Sequence, residues 1–436
     1  MPHYSLVLTL AAALIALPAA GQDTQRFDLE RTIRAALASS STLQILRRQA
    51  DIDDTRVRQA GAPARLGVTG SAAATRYDAA TSVAIGGGPR TQILPDHSEV
   101  LSIGLTQRLD LFGQVRAAVG QARLQTLADR LALATAERRL SLDATEAYLA
   151  LLRAQRQRTV ADAAVTAAQA QRDQAQVLND AGVGQKLDLL RARTTLAQAV
   201  QARERAERDV ANARAAFNDL VGQPLDAPVA LDEPASPDTP RVEVEGIVLA
   251  DRIDRAQRER DDILQTEAAL RAAEQGVRLA RTGDQPQVAV SAAGNIYPTT
   301  SFQFPRERTA AVTVGVTIPF ADGGLNRARV DEARLRVENA RTQRDQLRSA
   351  IALELTQDYR NLLTAARQIA SATTALEQAR AARELAQVRY AGQVGLFLEV
   401  TDAQAALTRA EAAQVDAVAD YLLARARFES AAGRKD

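Results

Sequence analysis

The stretch Leu347-Arg-Ser-Ala-Ile-Ala-Leu-Glu-Leu-Thr-Gln-Asp-Tyr-Arg-Asn-Leu-Leu-Thr-Ala-Ala-Arg-Gln-Ile369 decides how this chain is read. Leu347, Ile351, Leu355, Tyr359, Leu362, Ala366 and Ile369 follow one another at steps of three and four. That spacing draws an apolar seam along one side of a helix. Arginines, glutamines and glutamates fill the other faces, and no proline interrupts the run from Gly324 to Arg427. A tight tip around Gly392 and Gly395 divides the run into two arms. Arms this long, without internal caps, argue for coiled-coil packing. At about 1.5 Å per residue, a single helix from Gly324 to Tyr390 would be roughly 100 Å long. One compact domain has no room for such a rod.

Composition narrows the function. The 436 residues are 46% apolar but only 3% aromatic. Much of the apolar share is alanine, the best helix former. The net charge of +1 comes from charges interspersed along helices. It offers no one-sided basic surface, so nucleic acid is not an expected partner. No cysteine is present, which excludes disulfides, thiol chemistry and zinc ribbons. The two histidines, His3 and His97, leave little for histidine catalysis or metal ligation. No catalytic group, cofactor motif or metal site is found, and the chain does not read as an enzyme.

In chain order, the uncharged run Leu6–Leu17 ends in small residues and reads as a secretory signal peptide, residues 1–21. The mature chain then begins near Gln22, outside the cytoplasm. Asp28 to Ala60 reads as one helix stopped by Pro63. A strand over about 65–77 and a loop from Asp78 to His97 follow. The triplet Gly86-Gly87-Gly88 in that loop lacks the residues of a phosphate loop. Ser98 to Leu109 alternates: Leu101, Ile103 and Leu105 face one way, Ser102, Gly104 and Thr106 the other. A hairpin of helices spans about 114–220, with its tip at 181–187. Pro224, Pro228, Pro234, Pro237 and Pro240 mark residues 223–244 as a linker. A helix from 245 to about 281, strands over about 287–295 and 310–318, and a second helical hairpin over 324–430 with its tip at 391–398 complete the chain.

The chain is therefore written twice, as residues 22–222 and 245–436. Tyr148 matches Tyr359, Gly104 matches Gly315 and Leu196 matches Leu407, each 211 residues apart. Gly182 matches Gly392 at 210, which implies a tip one residue different in length. Each of the four strands is about ten residues long, enough for a tilted strand to cross a bilayer. Four strands do not close a barrel, and open edges are not tolerated in hydrocarbon. Several chains must then share one barrel.

The pattern Ser102-Ile-Gly-Leu-Thr-Gln-Arg-Leu-Asp-Leu-Phe-Gly113 precedes one long helix. Its counterpart, Val314-Gly-Val-Thr-Ile-Pro-Phe-Ala-Asp-Gly-Gly324, precedes the other. With the tip Arg389-Tyr-Ala-Gly-Gln-Val-Gly-Leu-Phe-Leu-Glu-Val-Thr-Asp-Ala-Gln404, these resemble the TolC-like outer membrane factor family over nearly all of the mature chain. The resemblance implies a mainly α fold with a membrane β-barrel portion. It implies a homotrimer in which each chain gives four strands to a twelve-stranded barrel, continued by a periplasmic α-barrel and girdled by an equatorial domain. The family lies in the bacterial outer membrane, against its lipid, and extends into the periplasm. It works with a periplasmic adaptor protein and an inner-membrane transporter, as exit duct of a tripartite efflux pump or of a type I protein secretion system. On the residues alone, a periplasmic adaptor or a soluble coiled-coil scaffold stays open as a rival.

A duct needs a gate and a docking surface. The resemblance assigns the constriction to Glu399 and Asp402, three residues apart on one helix face, and a closing latch to Tyr390. The family's arginine in that latch has no counterpart, because Gly395 stands in its place. Asp188, at the start of the first return helix, reads equally as an N-cap or as a gate residue. A dipole or capping role competes at Glu399 too. The tips, with Gly182, Val183, Gly184, Gly392, Val394, Gly395 and Leu396, are expected to meet the adaptor's own helical hairpin. Their glycines also serve the turns themselves.

Overall fold

The computed structural model describes residues 25–84, 86–88, 90–233, 244–298, 306–392 and 394–433. The expected signal peptide, His3, Gln393 and prolines 89, 234, 237, 240 and 305 lie outside the described residues.

The first half of the chain begins with β1 (Gln25–Phe27), α1 (Leu29–Ser39) and α2 (Ser41–Gly61). Four strands follow: β2 (Gly67–Arg76), β3 (Thr81–Val83), β4 (Thr91–Leu94) and β5 (His97–Leu109). Then come α3 (Gln114–Asp180), α4 (Lys186–Val221) and β6 (Val229–Leu231). The second half holds α5 (Leu249–Glu259), α6 (Asp261–Arg281), β7 (Gln287–Ile296), β8 (Arg308–Thr317), α7 (Leu325–Ala391) and α8 (Phe397–Ala431). The two long helices, α3 and α7, have 67 residues each. No proline falls inside them, and alanine, arginine and glutamine hold the helix where packing does not decide.

Two expected helices are broken. The helix expected over Asp28–Ala60 stops at Ser40, whose backbone is extended (φ −63°, ψ 114°). The Ser40 hydroxyl accepts the Leu43 amide at 3.3 Å, a side-chain cap that competes with helix continuation. The helix expected over 245–281 breaks at Arg260 (φ −63°, ψ 138°). The two breaks are 260 − 40 = 220 residues apart. The same 220 separates β2 from β7 (287 − 67), whereas β5 and β8 are 308 − 97 = 211 apart. The repeat thus keeps two offsets. The nine-residue difference falls in the turn between paired strands, where the first repeat carries the β3–β4 hairpin. That hairpin occupies what the sequence marks as loop.

Contacts gather into two units, each drawn from both halves of the sequence. The first comprises residues 1–39, 143–238 and 369–420. Here β1 pairs in parallel with β6, a strand inside the proline-rich linker (Gln25↔Val229, Phe27↔Leu231). Phe27 meets the fully buried Phe217 edge-on, with ring centroids 5.3 Å apart. Gly222 ends α4 in the left-handed region (φ 74°), and a Cβ there would lie 2.7 Å from the Ser39 side chain. Buried Tyr148 donates its hydroxyl hydrogen to the Asp232 carbonyl. Arg153 on α3 reaches Asp416 at 2.7 Å and Asp420 at 3.2 Å on α8.

The second unit comprises residues 40–142, 239–368 and 421–436. Its four-stranded sheet has the order β2-β5-β7-β8, antiparallel throughout. Register sets Val68, Leu105, Ala292 and Val312 in one row across the sheet, and Ser71, Ser102, Asn295 and Thr309 in a row on the opposite face. One face is therefore apolar and the other small and polar, as the alternation demands. The apolar face is uncovered: Val312 and Val314 are 77% and 66% exposed. In the same unit Arg260, nearly buried, reaches Asp262 at 2.7 Å, Glu354 at 2.8 Å and the Ala431 carbonyl at 2.9 Å. It thereby satisfies a carbonyl at the C-terminus of α8.

Phe217→Ala is expected to cost about 3–5 kcal/mol of stability, because it opens a cavity under Phe27; a thermal midpoint equal to that of the unaltered protein would contradict the packing. Burial, helped by Asp232 and Asp28, pushes the Tyr148 hydroxyl from its usual 10 up to about 12. The folded chain holds this proton more tightly than the unfolded one. Its stabilisation is complete below about pH 10 and is lost as pH climbs from 10 to 12. Tyr148→Phe should flatten the stability profile in that window, measured by chemical denaturation at stepped pH.

Candidate functional site

Both tips belong to the first unit and are built alike. In the first, the amides of Val183 and Gly184 both donate to the Leu178 carbonyl, at 3.1 and 2.8 Å. In the second, the amides of Val394 and Gly395 both donate to the Arg389 carbonyl, at 3.0 Å each. Each residue of one set is 211 from its mate in the other. The tips are therefore equal in length, and Gly184 answers to Gly395. The 210-residue match of Gly182 to Gly392 gives way to this pairing. The reason is closeness of backbone. A Cβ at Gly184 would lie 2.8 Å from the Leu178 carbonyl carbon, and one at Gly395 would lie 3.1 Å from that of Arg389. Gly182 serves differently, through its positive φ of 73°.

The corrected register makes Asp188 the counterpart of Glu399 (399 − 188 = 211). Asp188 is not an N-cap. Gln185 holds that place, without a side-chain cap bond, and Asp188 lies three residues further on, its amide donating to the Gln185 carbonyl at 3.0 Å. Glu399 likewise donates its amide to Leu396 at 3.0 Å. Both carboxylates stand in the first turn of a return helix, where the dipole favours negative charge. Arg191 lies 3.9 Å from Asp188, and Arg389 lies 3.7 Å from Glu399. Such partly exposed pairs are weak and easily parted. Asp402 is exposed, one turn beyond Glu399.

An apolar cluster joins the two tips. Ala175 of α3, Leu189 and Ala192 of α4 and Phe397 of α8 are buried together, and Tyr390 packs against them. The Tyr390 and Phe397 rings meet at 5.7 Å, edge to face. Burial, then the charge of Asp188, pushes the Tyr390 hydroxyl above its ordinary value. The structure thus brings Tyr390 and Asp188 within electrostatic reach, although they are 202 residues apart in sequence (390 − 188). Phe397 and Arg389 belong to this site and were not singled out from the sequence. The signal for Phe397 was available: it heads a return helix at the place of Lys186 and begins that helix's apolar seam. Outside the cluster, Val183, Val394 and Leu396 stand 76%, 73% and 67% exposed. Among the described residues no three His, Cys, Asp or Glu side chains gather to hold a metal ion, and no helix is long and apolar enough to cross a membrane.

Known proteins share this architecture. The chain is similar to the outer membrane efflux protein BepC of Brucella suis, at 24% identity over 347 residues that cover 78% of this chain and 73% of that one. Its fold is similar to that of the outer membrane protein VceC of Vibrio cholerae (TM-score 0.77, 20% identity, 93% of this chain and 96% of that one). It is also similar to the open state of the MtrE outer membrane channel of Neisseria gonorrhoeae (TM-score 0.74, 19% identity, 93% and 88%). These likenesses show a shared fold, and the family match places the protein in the bacterial outer membrane, extending into the periplasm. The family described as outer membrane efflux protein matches residues 32–223 and 252–434, one span in each repeat, and the chain belongs to that family of TolC-like channels.

Proposed function

We propose that three copies of this chain form one outer-membrane exit duct of a tripartite efflux pump. The observation that carries this reading is the four-stranded sheet, whose apolar face is uncovered and whose edge strands β2 and β8 pair with no further strand among the described residues. Hydrocarbon does not tolerate unpaired strand edges. Strand directions alternate, so β8 of one copy meets β2 of the next antiparallel and the ladder continues. Two copies would give eight strands, an interior that side chains fill. Three give twelve, wide enough for a wet bore. The valine-rich face then meets lipid, and the serine-threonine-glycine face meets water.

In a threefold assembly each inward carboxylate becomes three. Asp188 and Glu399, equivalent by repeat, and Asp402 beyond them ring the constriction and attract cations. Tyr390, seated on Phe397 beside Asp188, holds the two tips together in the closed state. The exposed Val183, Val394 and Leu396 meet the helical hairpin of a periplasmic adaptor, and Gly182, Gly184, Gly392 and Gly395 allow its backbone close. Contact draws Tyr390 and Phe397 away from Ala175, Leu189 and Ala192 and lets the two tips swing apart. Solute then moves passively, while an inner-membrane transporter supplies the energy. In this reading residues 1–21 are removed on export, 22–222 and 245–436 are the working repeats, and 223–244 lies in the equatorial link.

The mature protein should fractionate with outer membranes and run as a heat-labile trimer after detergent extraction. A monomer that stays soluble without detergent would end the duct reading. Asp402→Ala should lower the preference of the reconstituted channel for potassium over chloride. If the ratio and the single-channel conductance both stay at wild-type values, Asp402 does not line the constriction.

A further inference from the structure

The strand register directs two arginines to one end of the sheet's polar face, Arg108 within β5 and Arg65 just before β2. Arg108 on β5 is in register with Ala289, which pairs with Gly315. It shares its face with Ser102, Gly104 and Thr106. The pairing of β2 with β5 ends at Gly67↔Thr106. Two residues before Gly67 comes Arg65, in extended backbone (φ −95°, ψ 158°), so the same alternation sets it opposite Arg108. The Gln107 side chain donates to the Ala64 carbonyl at 3.5 Å, so the two segments stay alongside each other past the last pair.

Like charges brought opposite each other at the end of an antiparallel pair repel. Both arginines are exposed, and neither side chain has a hydrogen bond or ion pair among the described residues. The nearest carboxylate along the strand, Asp110, is already engaged. It accepts the amides of Val115 and Arg116 at 2.9 and 3.0 Å and the Arg116 side chain at 3.3 Å. Across the paired rows, every other residue on this face is uncharged. The second repeat has no such pair: Gln285 stands at the place of Arg65 (65 + 220) and Pro319 at that of Arg108 (108 + 211). Two neighbouring cations, with small uncharged residues along the paired rows and the nearest carboxylate already engaged, form a basic spot open to solvent.

We propose that the Arg65–Arg108 pair is a binding site for polyvalent oxyanions, phosphate- or sulfate-bearing, on the wall of the bore. The proposal rests on the threefold duct reading, which turns one pair into three pairs around a common axis. Paired guanidinium groups match the oxygens of phosphate and sulfate in a fork geometry that lysine lacks. Six of them around one bore raise the local anion concentration. The duct then carries opposite charge at two places: acidic at the tips, basic where the strands give way to helices.

The test is a planar-bilayer measurement with tripolyphosphate as the probe. The wild-type current should fall as the probe is added. Arg65→Ala with Arg108→Ala should raise the half-blocking concentration at least about tenfold. Arg65→Lys with Arg108→Lys should fall between the two. Equal half-blocking concentrations for the wild type and the double alanine variant, both running as heat-labile trimers, would overturn the site and leave the duct intact. A wild-type protein that stays monomeric and dissolves without detergent would overturn the duct reading and the site with it.

Discussion

Backbone hydrogen bonding inside hydrocarbon governs this protein. A peptide group facing lipid without a partner costs several kcal/mol. The sheet of β2, β5, β7 and β8 answers that demand for its interior ladders only, with ten paired residues between β2 and β5, nine between β5 and β7 and ten between β7 and β8. Its two outer edges carry the same demand. In the threefold assembly proposed above, a second copy of the same chain would supply a partner of matching strand length and direction, and the covalent chain would be a fragment of a wall. The long helices follow from this. A helix satisfies its own backbone along its length, so α3 and α7 need neighbours only for their apolar seams.

The duplication shows which parts of the chain changed independently. From Ser40 to Arg76 the repeat keeps an offset of 220, and from His97 to the return helices it keeps 211. The first repeat spends its nine additional residues between two strands, where a turn tolerates insertion because no ladder depends on its length. Nothing of that kind occurs at the tips, whose hydrogen bonds agree residue for residue. A tip with one residue more would lose the double acceptance at Leu178 or Arg389. The chain therefore varies where the strands turn and is constant where the helices turn.

Periodicity made the long elements legible, and it failed where one side chain overrules its neighbours. Ser40 sits in a helical pattern, but its hydroxyl offers the Leu43 amide an alternative to the helix. Arg260 is charged and sits at a position where burial is unexpected; its guanidinium is neutralised by Asp262 and Glu354, which are 2 and 94 residues away. β1 and β6 are three residues each, too short for alternation to register, and their pairing across about 200 residues leaves no local mark. At the tips the carboxylates were legible as residues, but their partners were not. The nearness of Tyr390 to Asp188 depends on how two hairpins pack.

Gly395 shows how a missing side chain redirects a site. The TolC-like pattern has an arginine where this chain has glycine, and the tip geometry leaves a side chain there crowded. A Cβ there would press within 3.0 Å of the Arg389 Cβ and 3.1 Å of the Tyr390 nitrogen. These are backbone atoms and the first atom of a side chain, so they yield only if the turn itself changes. With glycine in that place, the cation paired with Glu399 is Arg389, ten residues earlier, on the other side of the same turn. The ion pair then spans the turn, from the end of α7 to the start of α8. A pair so placed braces one hairpin rather than linking two, and the link between hairpins falls to the apolar contact of Tyr390 and Phe397 with Ala175, Leu189 and Ala192. Holding by apolar contact is insensitive to salt, whereas holding by exposed ion pairs weakens as screening rises. The link between the two hairpins accordingly depends on burial more than on charge.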